Sequence, residues 1–248
     1  MAHEALSLFP EAALTLPRIH RQRRLYFACK RCMDIALSAP FLIITLPLLL
    51  LIALLIKLDS PGPVLFKQER VGLRKRSIDG EDRWELGTFI MYKFRTMYDN
   101  CNPSVHQQFV RALIWNHEDE VERLRHNGAT VVNKLGNDGR ITRIGRILRR
   151  TSLDELPQLL NVLRGEMSLV GPRPPLPYEV AEYEPHHWGR LGTIPGCVGL
   201  WHVSGWNTLG FEDMVALDVW YVRHQSLWLD VKILLKTVPA VLSGNGGG

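Results

Sequence analysis

Residues 35–56 carry no charged side chain over 22 positions, and no other feature restricts the fold of this chain as strongly. At about 1.5 Å per residue a helix of that length reaches across a hydrocarbon core, so a straight span is the default reading. The flanks argue otherwise. Arg18, Arg21, Arg23, Arg24, Lys30 and Arg31 precede the run, and Lys57, Lys67, Arg70, Arg74, Lys75 and Arg76 follow it. Basic flanks favour the cytoplasmic side, and here both ends carry that signature. A segment that enters and leaves on one side must bend, and Pro40 and Pro47 each remove a helix hydrogen bond. The expectation is a re-entrant helix-break-helix with its break at Pro47. The apolar run is too long for a cleaved signal peptide, and no small-x-small site follows it.

Three regions follow from this division. Residues 1–29 form an arm ending in a basic-aromatic stretch, RIHRQRRLYFACKR, suited to anionic headgroups or to a disordered, incidentally charged tail. Residues 30–57 are the re-entrant helix, and residues 58–248 a cytosolic, membrane-associated catalytic domain that forms one structural unit with it. With 248 residues, 46% of them hydrophobic, the chain is long enough for one substantial core. The formal charge of +5 suits phosphorylated substrates or anionic lipid. It would suit nucleic acid equally, but no RNA- or DNA-binding motif accompanies it and no nucleic-acid partner is expected.

Chemistry concentrates in residues 149–174, RRTSLDELPQLLNVLRGEMSLVGPRP. Asp154 and Glu155 follow a run of arginines and precede a Gly-Pro-Arg-Pro turn. Carboxylates among guanidinium groups suit a metal ion and phosphates together, since the metal needs hard oxygens and the phosphates need bidentate positive donors. The same window also reads as a helix start: Ser152-x-x-Glu155 fits a capping box, and Leu156, Leu159, Leu160 and Leu163 follow at helical spacing. Pro157 belongs in a first turn, which puts helix entry within a few residues of Asp154.

Other segments are plainer. Residues 64–98 read as a small hairpin with a charged turn, in which Phe89 and Met91 alternate with less apolar neighbours. Residues 104–127 read as a helix whose acidic cluster, Glu118, Asp119, Glu120 and Glu122, is a solvated face. Residues 140–150, RITRIGRILRR, put Ile141, Ile144 and Leu148 on one helical face with arginines around the rest, a pattern suited to dipping among acyl chains. Trp201, Trp206, Trp220 and Trp228 suit a membrane interface or a core equally. His186 and His187 are adjacent, so their rings should diverge as a surface pair. Cys29-x-x-Cys32 lacks the second half of a zinc or redox site, and the cysteine usage fits a reducing compartment.

These residues carry a resemblance. TSLDELPQLLNVLRGEMSLVGPRPP is similar to the signature of the bacterial sugar transferases, monotopic polyprenyl-phosphate hexose-1-phosphate transferases that begin lipid-linked glycan assembly. The similarity extends upstream to SPGPVLFKQERVG and KFRTM, and downstream to PGCVGLWHVSGW, LDVWYV and SLWLDVKILLKT. It covers roughly residues 30 to 243 in the same order. It implies an α+β, mostly helical fold with a re-entrant membrane helix broken at Pro47, interfacial amphipathic helices and a small hairpin, on the cytoplasmic face of the bacterial inner membrane. It also implies a reaction in which Asp154 attacks the sugar-bearing phosphorus of a nucleotide sugar and polyprenyl phosphate then takes the phosphosugar, with nucleoside monophosphate released.

Glu155 is then the partner that handles Mg²⁺, and Arg149 the phosphate-binding arginine, while Arg173, Lys93 and Arg95 are further candidates for diphosphate contacts. The expected partners are a nucleotide sugar, polyprenyl phosphate, membrane lipids and a second copy in a homo-oligomer. UDP-glucose or UDP-galactose is the first expectation for the donor, and exopolysaccharide or O-antigen initiation for the pathway. The family has an arginine where this chain has Trp206. Two other readings stay open, a glycosyltransferase releasing nucleoside diphosphate and a non-catalytic membrane scaffold.

Overall fold

The computed structural model of the chain describes residues 23–78, 81–99, 104–115, 117, 119–121, 123, 139–205 and 209–242. The arm expected over residues 1–29 therefore lies mostly outside the described residues, as do Glu118, Glu122, Trp206 and the glycine-rich tail.

Helix α1, Arg24–Asp59, is 36 residues long and is the one described helix long and apolar enough to cross a membrane. It continues through Pro40 and Pro47. The helical backbone thus runs on through Pro47, although each proline deletes one of the helix's hydrogen bonds. The Thr45 hydroxyl also turns back, donating to the Phe41 carbonyl at 2.7 Å. Burial along α1 is confined to its ends. Phe27, Lys30, Asp34 and Ser38 are buried near the start, and Ile52 and Ile56 near the end, whereas Ile43, Ile44 and Leu50 between them are exposed.

Strands β1 (Leu65–Ile78) and β2 (Glu81–Phe94) pair antiparallel from Leu65↔Phe94 to Ile78↔Glu81. The expected hairpin is there, but its strands run through the charged stretch that the sequence suggested as turn. Phe89 and Met91 are buried with Val162 and Met167 and Ile90 points outward, as period-two alternation requires. Helix α2 (Ser104–Ile114) stops well before residue 127, and Val110 and Ile114 pack on Phe211 and Val215.

Helix α3 (Arg143–Thr151) supplies Leu148, with Ile144, to a cluster with Ile52 and Ile56 of α1 and Phe94 of β2. The face expected among acyl chains is therefore covered by protein, and Ile147 is the exposed apolar residue of this helix. Ile141 precedes the helix and bridges to Met97. After α4 (Gln158–Arg164) comes β3 (Ser168–Val170), which pairs parallel with β4 (Gly196–Val198). Helices α5 (Pro177–Val180), α6 (Phe211–His224) and α7 (Leu227–Leu242) complete the body. Tyr221 and Ile233 close over Val170, and Trp188 joins Val71, Val180 and Leu191. The tryptophans divide: Trp201 is buried, whereas Trp220 and Trp228 are exposed.

Candidate active site

The end of β2 and the start of α3 are locked together by backbone. Thr142 caps α3 by accepting from the Gly145 amide at 2.9 Å, while its own amide donates to the Thr96 carbonyl at 3.0 Å. At Gly145 a Cβ atom would sit 2.1 Å from that same carbonyl oxygen, so only glycine lets the helix approach this closely. Helix α3 ends at Ser152, whose φ of 55° turns the chain left-handed, and residues Leu153–Glu155 follow as a single 3₁₀ turn. The capping box anticipated for Ser152 and Glu155 does not form. The Ser152 side chain makes no cap bond, and Glu155 is turned toward cations instead.

Those cations come from two other elements. Lys93 Nζ, on β2, lies 2.6 Å from Glu155 Oε1, and Arg173 Nη1, on the turn after β3, lies 3.4 Å from the same oxygen. Lys93 is placed by Asn161 of α4, whose carboxamide accepts from the Tyr92 amide at 3.0 Å and donates to the Ile90 carbonyl at 2.6 Å. The Arg173 turn is held on both sides. Arg70 donates to the Pro174 carbonyl and the Val71 amide to the Pro175 carbonyl, each at 2.9 Å. Gly171 packs so tightly on residues 194–196 that a Cβ there would lie 2.6 Å from the Ile194 carbonyl oxygen. Arg149 donates from Nε to Thr96 Oγ1 at 2.9 Å, and its charge bears on Asp154.

Adjacent in sequence, the two carboxylates have opposite electrostatic settings. Burial raises the pKa of Asp154 to about 6, with Glu155 adding to the rise and Lys93, Arg149 and Arg173 opposing it. Burial would also raise Glu155, but Lys93 and Arg173 outweigh it and hold that carboxyl well below the ordinary range. Near neutral pH the site is thus a fixed Glu155 anion between two cations, beside a buried Asp154 that is ionised above about pH 6.

Lys93, Arg149, Asp154, Glu155 and Arg173 are brought together. Arg95 is not among them: buried at 5% exposure, it binds the Ser60 carbonyl at 2.8 Å and the Pro61 carbonyl, bracing the chain where it leaves α1. Two residues of the neighbourhood escaped the sequence reading. Arg70 had only its place in a longer similar stretch. His202 is buried and its pKa falls to about 3, chiefly through burial and then through Arg173. Its Nδ1 accepts from the Gly199 amide at 2.9 Å, which leaves the proton of the neutral ring on Nε2.

His186 and His187 do not diverge. Both reach the Glu212 carboxylate, at 3.0 and 2.8 Å, and His187 is buried. A metal is a poor occupant of this trio. His187 Nδ1 accepts from the Glu184 amide at 3.0 Å, so its Nε2 must keep a proton, whereas a metal-binding imidazole donates from its second nitrogen.

The sequence profile described as "Bacterial sugar transferase" matches residues 25–244. The chain belongs to the bacterial sugar transferase family. Among relatives, the exopolysaccharide production protein ExoY of Rhizobium meliloti is 38% identical over 217 residues, covering 88% of this transferase and 87% of the relative. The undecaprenyl-phosphate galactose phosphotransferase of Salmonella typhimurium is 40% identical over the same share of this chain, which spans only 41% of that protein. The UDP-glucose:undecaprenyl-phosphate glucose-1-phosphate transferase of Caulobacter vibrioides is 39% identical over 236 residues, covering 92% of the transferase and 73% of the relative.

Proposed function

We propose that this phosphoglycosyl transferase moves a hexose-1-phosphate from a UDP-hexose to undecaprenyl phosphate, as an opening step of exopolysaccharide or O-antigen assembly. One observation carries the reading: a buried carboxylate, Asp154, stands beside a Lys93–Glu155–Arg173 cluster built for phosphate charge. The names of the relatives from Salmonella and Caulobacter describe this reaction class for galactose and glucose.

In the first step an Asp154 oxygen attacks the sugar-bearing phosphorus. A bond forms between carboxylate and phosphorus, and the bond from that phosphorus to the bridging oxygen breaks, releasing UMP with the electron pair. In the second step a phosphate oxygen of undecaprenyl phosphate attacks the same phosphorus and frees the Asp154 carboxylate. Lys93 and Arg173 meet the diphosphate, Arg149 binds phosphate beside them, and all three cations favour the ionised Asp154. Mg²⁺ suits the donor set, because carboxylate oxygens together with substrate phosphates are its usual ligands, and Glu155 would hold it. When bound it would neutralise charge on the donor diphosphate and on the departing UMP.

The chain sits on the cytoplasmic face with α1 entering and leaving the bilayer on that side. Both buried ends of α1 rest on one body, which supports this placement. The deciding experiment incubates the purified protein with UDP-glucose or UDP-galactose, with and without undecaprenyl phosphate, and identifies the nucleotide and the protein mass. The expected result is UMP, and a protein heavier by one hexose phosphate when acceptor is absent. Asp154→Asn should abolish both. UDP as product would mean simple glycosyl transfer, and no turnover with any sugar nucleotide would leave a membrane scaffold.

A further inference from the structure

Two residues one turn apart on α1 touch the two halves of the site. The Arg31 guanidinium donates to the Val162 carbonyl and, at 2.6 Å, to the Leu163 carbonyl. These are end carbonyls of α4, the helix that begins three residues after the dyad and ends at Gly165 in the left-handed conformation. A cation at a helix C-terminus complements the helix dipole, and Arg31 is here a second donor to the Val162 carbonyl, which already accepts from the Gly165 amide at 3.0 Å. Asp34 Oδ1 accepts from Ser168 Oγ and from the Leu169 amide, each at 3.0 Å. Those residues open β3, which runs directly into the Arg173 turn.

We propose that Arg31 and Asp34 are positioning residues for phosphosugar transfer. Arg31 fixes the helix that follows Asp154 and Glu155, and Asp34 fixes the strand that delivers Arg173. One turn of the membrane helix thus sets the separation between the carboxylates and the cation that faces them. The neighbouring contacts reinforce this arrangement. Lys30, 1% exposed, pairs with Asp230 at 2.8 Å, and Tyr221 donates to Asp230 at 2.6 Å while its ring packs on Val170. The last residue of β3 is therefore tied, through Tyr221 and Asp230, to the same stretch of α1. A further consequence is that the depth at which α1 sits also sets the height of the carboxylates over the bilayer.

The proposal rests on the phosphosugar-transfer reading, and its test has one arm that does not. Asp34→Ala and Asp34→Asn proteins in nanodiscs are compared with the unmodified chain by hydrogen exchange and by steady-state kinetics. Asparagine keeps an acceptor oxygen for Ser168 and Leu169, whereas alanine does not. Exchange at residues 169–171 should quicken on Asp34→Ala and stay near the unmodified rate in Asp34→Asn. The same alanine variant should lose about tenfold or more in kcat. Its KM for the UDP-hexose should change far less than its kcat, and Asp34→Asn should recover most of that kcat. Arg31→Ala should act alike through α4, with Arg31→Lys recovering part of the loss. If the alanine variants lose activity only in proportion to unfolded protein, with exchange unchanged and no recovery in Asp34→Asn or Arg31→Lys, Arg31 and Asp34 are anchors and the proposal fails. If the unmodified chain transfers no phosphosugar, the function fails, and unchanged exchange at residues 169–171 in Asp34→Ala would still overturn the structural claim.

Discussion

Asp154 carries a conflict between folding and chemistry. Its pKa rises from 3.8 to about 6 in the folded chain, so between those values the folded state binds more protons than the unfolded one. Stability therefore falls as pH climbs from about 4 through 6, then levels off. A shift of this size corresponds to roughly 3 kcal/mol at pH 7 and above. Asp154→Asn should relieve it, giving an inactive protein that is more stable than the unmodified chain at pH 7.5 and loses that advantage below pH 5; thermal melts at both pH values check this. Catalysis needs the ionised form, so kcat/KM should drop below an apparent pKa near 6. Lys93→Met should raise that limb, by about one unit, because Lys93 is the strongest charge lowering Asp154. A limb left in place would show that Asp154 is not the group being titrated. The dyad and Arg173 were legible because charged residues near a Gly-Pro-Arg-Pro turn advertise phosphate chemistry, whereas Lys93, far from that turn, entered only through the family resemblance. His202 was not, since a lone histidine among apolar neighbours gives no periodic or spacing signal. Nor was the convergence of His186 and His187, which depends on Glu212 arriving from a helix 25 residues later.

Among the elements, α3 shows where periodicity succeeds and where it stops. Spacing of Ile144 and Leu148 gave the helix and its buried face, but could not say whether lipid or protein would cover that face. The covering residues, Ile52, Ile56 and Phe94, come from far away in sequence. Likewise Ser152-x-x-Glu155 has the letters of a capping box, yet two cations, one from β2 and one from the turn after β3, compete for Glu155 and win it. The seat of α3 supplies a test. Gly145→Ala should gain roughly 1 kcal/mol of helix propensity in isolation. In the fold its methyl would lie 2.1 Å from the Thr96 carbonyl oxygen, a backbone atom that cannot swing aside. Overpacking of this kind costs about 1–3 kcal/mol, so the net effect should be destabilising. Because the same shift pulls Arg149 from Thr96, activity should fall further than the change in melting temperature explains. An alanine variant with unchanged stability and activity would show that α3 seats more loosely than its contacts indicate.

At the scale of the whole molecule, α1 is tied to one body at both ends, and its length then becomes a constraint on topology. Its apolar composition and basic flanks were legible as membrane-associated, but no sequence rule says what its ends touch. Arg31 and Asp34 bind α4 and β3 near the start, and Ile52 and Ile56 pack with Phe94 and Leu148 near the end. A helix that crossed the bilayer would carry one end away from the body and expose both isoleucines on its far side. Burying two isoleucines contributes roughly 3–6 kcal/mol, whereas replacing Pro47 with alanine regains about 3 kcal/mol of helix continuity. Docking should therefore dominate. In a chain whose native cysteines are replaced by serine, Leu25→Cys and Leu58→Cys place single thiols at exposed flanking positions. Both should react with a membrane-impermeant maleimide in inside-out vesicles, and neither in right-side-out ones. Pro47→Ala alone should leave this pattern intact. Pro47→Ala combined with Ile52→Asn and Ile56→Asn should move a fraction of Leu58→Cys to the outer side, since the helix hydrogen bond lost at Pro47 is regained and docking removed together. Labelling of the position 58 thiol from outside without those changes would mean that α1 spans the bilayer, and would sink the one-sided arrangement.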